Sequence, residues 1–210
     1  MIETAGVALA TFFATIGPLD ISAFFAALTV GQSSRAKLIM AARGTLIATV
    51  ILLSFALFGQ LLLDALGISL AALRTAGGIL LLLIGIEMVF ARTSGATSAT
   101  EEETREAETR RDISVFPLAT PLIAGPGAIG SAILLMAHAE GDATRQLIVC
   151  LSLLAMLLFT FCCLLAASQL HKLLGRTGTH VINRIFGILL AALAVQFIFD
   201  GIAESGLLTR

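Results

Sequence analysis

Six long apolar stretches follow one another along the chain, at about 5–30, 38–63, 68–90, 115–137, 145–168 and 181–203. Each meets or exceeds the roughly 20 apolar residues that carry a helix across a bilayer. None shows the period-two alternation of a membrane strand. Turn chemistry collects between them: Gly31-Gln32-Ser33-Ser34-Arg35 closes the first stretch, and Asp64-Ala65-Leu66-Gly67 separates the second from the third. The longest polar run, Arg92 to Asp112, carries six acids and four bases. It starts as a Ser/Thr/Gly-rich linker and continues with Glu101–Arg105 and Glu106–Arg110 at i,i+4 spacing, which supports a helix in water. The pattern predicts an all-α polytopic membrane protein divided into a three-helix unit at 1–91, a cytoplasmic linker at 92–112 and a second three-helix unit at 113–210.

Composition narrows the class. Of 210 residues, 58% are hydrophobic and 13% charged, about half the charge of a soluble domain. That excludes a soluble enzyme domain and a secreted disulfide scaffold. The net charge of −1 provides no basic field for a nucleic acid. Cys150, Cys162 and Cys163 share one apolar run and read as packing residues. His138, His171 and His180 are placed in connections and lack an i,i+4 ligand partner, so neither metal nor cofactor is expected. With no nucleophile–base pair at depth, no enzyme is expected either. Trp and Tyr are absent, leaving thirteen Phe for all aromatic packing. No basic n-region precedes the first apolar stretch, which disfavours a cleaved signal peptide.

Charge and repetition set the topology. The 1–2, 3–4 and 5–6 connections hold ten Lys and Arg, against Arg74, Arg145 and Arg210 on the other side. The positive-inside rule then puts both termini outside the cytoplasm. Ile16-Gly17-Pro18 matches Ala124-Gly125-Pro126 at an offset of 108, and Leu66-Gly67 matches Leu174-Gly175 at the same offset. Arg74-x-x-Gly77 matches Arg184-x-x-Gly187 at 110. An odd number of spans per unit makes such repeats inverted, an arrangement recurrent in secondary transporters.

All four prolines, Pro18, Pro117, Pro121 and Pro126, fall in the first and fourth stretches. Proline removes an amide donor and clashes with the preceding turn, and freed carbonyls cannot face lipid. The first and fourth helices are therefore expected to break around Gly17-Pro18-Leu19 and Ala124-Gly125-Pro126-Gly127. Broken helices present amides to a carboxylate and carbonyls to an ammonium, which suits a small zwitterion. A pair of packing kinks is the alternative. The candidate binding residues are Thr15, Gly17, Pro18, Asp20, Ser22, Thr120, Gly125, Pro126 and Gly127, with Thr11 alongside. Two roles stand open for Asp20, a costly acid at membrane depth: binding or proton coupling, and capping of the second half-helix. Glu87 is a second coupling candidate, or a side chain that snorkels toward Arg92.

Phe116-Pro117-Leu118-Ala119-Thr120-Pro121-Leu122-Ile123-Ala124-Gly125-Pro126-Gly127-Ala128-Ile129, Phe24-Phe25-Ala26-Ala27-Leu28-Thr29 and Leu73-Arg74-Thr75-Ala76-Gly77-Gly78-Ile79-Leu80 resemble the MarC family of six-span membrane proteins along the whole chain. Some members are named for multiple antibiotic resistance; others are similar to transporters of small neutral amino acids such as glycine and alanine. The resemblance implies a carrier of the bacterial inner membrane with inverted repeats, driven by a proton or sodium gradient. A channel or stress-related membrane protein without transport activity is the alternative. The family's first break typically reads Asp-Pro-x-Gly-Asn-x-Pro, whereas this chain has Gly17-Pro18-Leu19-Asp20-Ile21-Ser22-Ala23. Its carboxylate stands three residues later, nearly one helical turn, which leaves the substrate less determined than the fold.

Overall fold

The computed structural model describes residues 1–90, 112–139 and 141–206, without the side chains of 168 and 170–177. The linker at 92–112, apart from Asp112, and the side chains of the Leu174-Gly175 match lie outside the described residues. Described residues form helices joined by short connections: α1 (Ile2–Ile16), α2 (Pro18–Leu28), α3 (Ser34–Ala65), α4 (Leu70–Phe90), a wide-turn segment (Ser114–Ile123), α5 (Pro126–His138), α6 (Ala143–Leu165) and α7 (Ala167–Glu204). Five spans are long and apolar enough to cross a membrane, with α1 and α2 together making the first. The wide-turn segment and α5, bent by 53° at their break, bring the count to six where the pair is taken as one span.

Small residues face inward and large ones outward. On α3 the buried stripe is Ala41, Gly44, Ala48, Leu52, Ala56 and Gly59, while Leu46, Val50, Leu57, Phe58 and Leu61 are exposed. Lipid tails are as apolar as leucine, so membrane helices associate through close backbone approach at small residues. The α4–α7 contact shows this most clearly. A Cβ at Gly78 would lie 2.7 Å from the Ala194 carbonyl, one at Gly85 2.9 Å from the Ala191 amide, and one at Gly201 2.8 Å from the Ala71 carbonyl. Low numbers on α4 meet high numbers on α7, so the two helices run antiparallel. Buried Arg74 forms an ion pair with Glu204 at one end of this contact.

Two expectations need correction. The fifth connection contains no extended loop: Ala166 makes a turn and the helix resumes at Ala167, passing through 169–180 without a break. His138 and His180 are therefore helical, at the last residue of α5 and within α7. His180 also lies inside the apolar span Gly178–Glu204.

Asp112 ties α3 to the fourth stretch. Its Oδ1 accepts from the Ser114 amide at 3.0 Å and from the Ser114 hydroxyl. Its Oδ2 accepts from Arg43 Nη1 at 2.9 Å. The Ser114 hydroxyl first, then the Ser114 amide and the Arg43 guanidinium, hold the Asp112 carboxyl below its ordinary value. A lowered carboxyl contributes stability above its unfolded value, near 3.9, and loses it as pH falls through the folded one. Asp112→Asn should cost up to about 1 kcal/mol at pH 7, since exposed pairs are screened. In thermal unfolding the gap from the parent should narrow progressively as pH falls below about 3.9.

Candidate functional site

Two junctions with the same local chemistry lie in the first and fourth stretches. α1 ends at Ile16 because Gly17 takes a left-handed conformation (φ 65, ψ 56) and its amide bonds back to the Phe13 carbonyl at 3.0 Å. Pro18 then opens α2, where a missing amide costs nothing. The first bond of α2 runs from the Ile21 amide to the Gly17 carbonyl at 3.0 Å. In the fourth stretch Gly125 is extended, Pro126 opens α5, and the first bond runs from the Ile129 amide to the Gly125 carbonyl at 3.0 Å. Amides before that first bond, at Leu19 and Asp20 in one helix and Gly127 and Ala128 in the other, precede any intrahelical acceptor.

The approach to the second junction is irregular. Phe116 (φ −124, ψ 127) and Thr120 (φ −136, ψ 123) are extended, as residues before proline tend to be. Around them the backbone closes wider turns, with the Leu118 amide on the Ile113 carbonyl at 3.1 Å and the Ala124 amide on the Ala119 carbonyl at 2.9 Å. The buried faces of this segment, at Pro117, Leu118, Ala119, Leu122 and Ile123, keep its loosened backbone against protein.

A buried hydroxyl contact joins the helices beside the two junctions. Thr15 Oγ1, on the last turn of α1, lies 3.2 Å from Ser131 Oγ on α5. Each hydroxyl also lies within reach of a carbonyl of its own helix, Thr15 of Thr11 at 2.8 Å and Ser131 of Ala128 at 3.0 Å; with one proton each, the hydroxyl that donates across the contact leaves its own carbonyl. One turn along α1, Thr11 is fully buried and its hydroxyl has no hydrogen-bond partner among the described residues. An orphaned buried hydroxyl costs about 1–3 kcal/mol.

Asp20 does not cap α2: the N-terminus of that helix has no side-chain cap. Its Oδ2 accepts from Asn183 Nδ2 on α7 at 2.7 Å. The same oxygen lies 3.8 Å from where a Cβ at Gly17 would stand, so the carboxylate occupies the space that a side chain at position 17 would enter. Asn183 was not marked by the sequence pattern, although it is the one Asn of the chain; that rarity was the available signal. Thr15, Gly17, Pro18 and Asp20 thus cluster around the first junction, and Gly125, Pro126 and Gly127 form the second. Ser22 is buried but spends its hydroxyl on the Leu19 carbonyl, 2.7 Å away. Thr120 is exposed and its hydroxyl joins none of these groups among the described residues. Glu87 lies on α4, half-buried, with Oε2 lacking a hydrogen-bond partner among the described residues; Arg92, its expected neighbour, lies outside them.

Helices packed through small residues, with glycine-proline junctions inside two apolar stretches, define a polytopic helical membrane protein. The chain belongs to the MarC family: the model of the MarC family integral membrane proteins matches residues 3–205. A UPF0056 membrane protein of Methanocaldococcus jannaschii is 37% identical over 93% of this chain and 94% of its own. Those of Bacillus subtilis and Escherichia coli are 32% and 34% identical, over 91% and 90% of this chain and 90% and 87% of theirs. No solved structure matches.

Proposed function

We propose that the protein is a secondary transporter of small neutral amino acids of the glycine and alanine class, with the substrate held between the two glycine-proline junctions. The observation that carries this reading is the pairing of the junctions. Each opens a helix with proline inside an apolar stretch and makes its first bond to the glycine carbonyl, and Thr15 and Ser131 connect them. Amides at the start of α5 suit a carboxylate, and Asp20 with the free carbonyls at the end of α1 suits an ammonium. The amino-acid class itself rests on the family resemblance.

In this reading the chain forms two inverted three-helix repeats around breaks in the first and fourth spans. The antiparallel α4–α7 pair supports it, because the third helices of two inverted units must cross in opposite directions. So does the match of Gly31 (φ 79) with Gly141 (φ 78), each placed before the second helix of its unit. The excess of ten bases over three supports, in this reading, an orientation with both termini outside the cytoplasm, and the bacterial inner membrane comes from the family resemblance. Asp20 is the first candidate to carry a coupling proton or respond to a coupling sodium, and Glu87 the second.

Purified protein in proteoliposomes preloaded with unlabelled glycine or alanine should accumulate the labelled amino acid by counterflow, with saturation. No exchange of any small neutral amino acid defeats the substrate assignment. Conductance steps without saturable counterflow would assign a channel instead.

A further inference from the structure

We propose a second, peripheral binding site for a zwitterion, in the cavity between the start of α1, the end of α5 and the start of α6. It rests on the transporter reading and adds an entry point on the face that the charge asymmetry assigns to the outside. The cavity measures about 220 Å³ and is lined by Glu3, Thr4, Val7, Leu135, His138 and Arg145, among others. That is ample room for a small amino acid together with some of its water. Both charge signs are present on its wall, a carboxylate on α1 and a guanidinium on α6. An ammonium and a carboxylate carried on one carbon can answer both signs, the ammonium meeting Glu3 and the carboxylate sharing Arg145 with Asp142.

The two charged arms come from elements that are themselves fixed. Asp142 caps α6 by accepting from the Thr144 amide at 2.8 Å, and it contacts Arg145 through Nε at 3.5 Å. That contact uses the inner edge of the guanidinium, so its terminal nitrogens are the ones a carboxylate would meet. The His138 ring stands edge-on to Phe197, with centroids 5.6 Å apart. The floor of the cavity leads toward the junctions. Val7 precedes Thr11 by four residues on α1, and Leu135 follows Ser131 by four on α5. At 1.5 Å per residue, the partnerless Thr11 hydroxyl and the Thr15–Ser131 contact begin about 6 Å further in. A zwitterion held at the rim would therefore be one helical turn from the buried polar layer, with Val7 and Leu135 between.

The test uses the full chain, purified in detergent, with Cys150→Ala, Cys162→Ala and Cys163→Ala removing the native thiols and Thr4→Cys supplying a reporter. Glycine and alanine are expected to slow maleimide labelling at least threefold, while methylamine and acetate at the same concentration do not. Adding Arg145→Gln should abolish the protection. Val7→Cys serves the same purpose if Thr4→Cys does not fold. Labelling that ignores glycine and alanine, or that acetate slows equally, overturns the site. Counterflow with the parent chain separates the two readings. Flux without protection removes the peripheral site and leaves the transporter; protection without flux keeps a zwitterion site and removes the transporter.

Discussion

Gly85→Val is expected to destabilise the fold strongly, and Gly78→Val the same. At Gly85 a Cβ would lie 2.9 Å from both the Ala191 amide and the Gly187 carbonyl, and at Gly78 2.7 Å from the Ala194 carbonyl. These obstacles are backbone, so no rotamer change relieves them. Overpacking costs typically about 1–3 kcal/mol where side chains can shift; here α4 and α7 must separate, and the loss should reach at least about 3 kcal/mol. In a chain of this size that lowers the unfolding midpoint by roughly 6–12 °C. Thermal scans of detergent-solubilised protein, followed by circular dichroism, provide the measurement. Gly130→Ala is the control: nothing stands within 4 Å of its Cβ, so helix propensity alone should stabilise it by about 0.5–1 kcal/mol. Equal behaviour of Gly85→Val and Gly130→Ala would mean that α4 and α7 do not approach as described.

The second large effect concerns Asp20. Asp20→Asn keeps the shape of the side chain and a partner for Asn183 but removes the charge, and flux should fall at least tenfold under a proton gradient. Asp20→Gly should fall further. Moving the carboxylate back, as Gly17→Asp with Asp20→Gly, should restore a substantial part of the flux. The geometry explains why: a side chain at 17 starts 3.8 Å from the present Oδ2, and Asp tolerates a left-handed φ better than most residues. If Asp20→Asn leaves transport and its pH dependence unchanged, Asp20 is not the proton carrier. If the double substitution stays as inactive as Asp20→Gly, the two positions do not serve one site.

The helical, multi-span class could be read from the chain because it depends on the summed apolarity of long segments. The helix end at Ile16 and the helix starts at Pro18 and Pro126 depend on adjacent glycine and proline residues and are legible for that reason. What joins the segments was not. Asn183 reaches Asp20 across 163 positions, and Ser131 reaches Thr15 across 116; no local pattern encodes either contact. Arg74 was marked as a repeat match, but its Glu204 partner emerges only when α4 and α7 lie side by side. The region 169–180 misled in the opposite direction. Its bases and glycines resemble a loop, yet Ala167–Glu204 is one helix, because polar residues outside a membrane do not themselves end a helical ladder.

The lengths of the helices bear on how the protein responds to the bilayer. α3, with 32 residues, is about 48 Å long, while α4, with 21, is about 32 Å. A hydrocarbon core of about 30 Å leaves α3 surplus to tilt or to extend past the headgroups at Arg35 and Arg43, but α4 almost none. Because its backbone meets that of α7 at Gly78 and Gly85, α4 cannot slide or tilt by itself to follow a thicker membrane. Any change of lipid thickness therefore loads the α4–α7 pair as one rigid body, while α3 can adjust its angle against it.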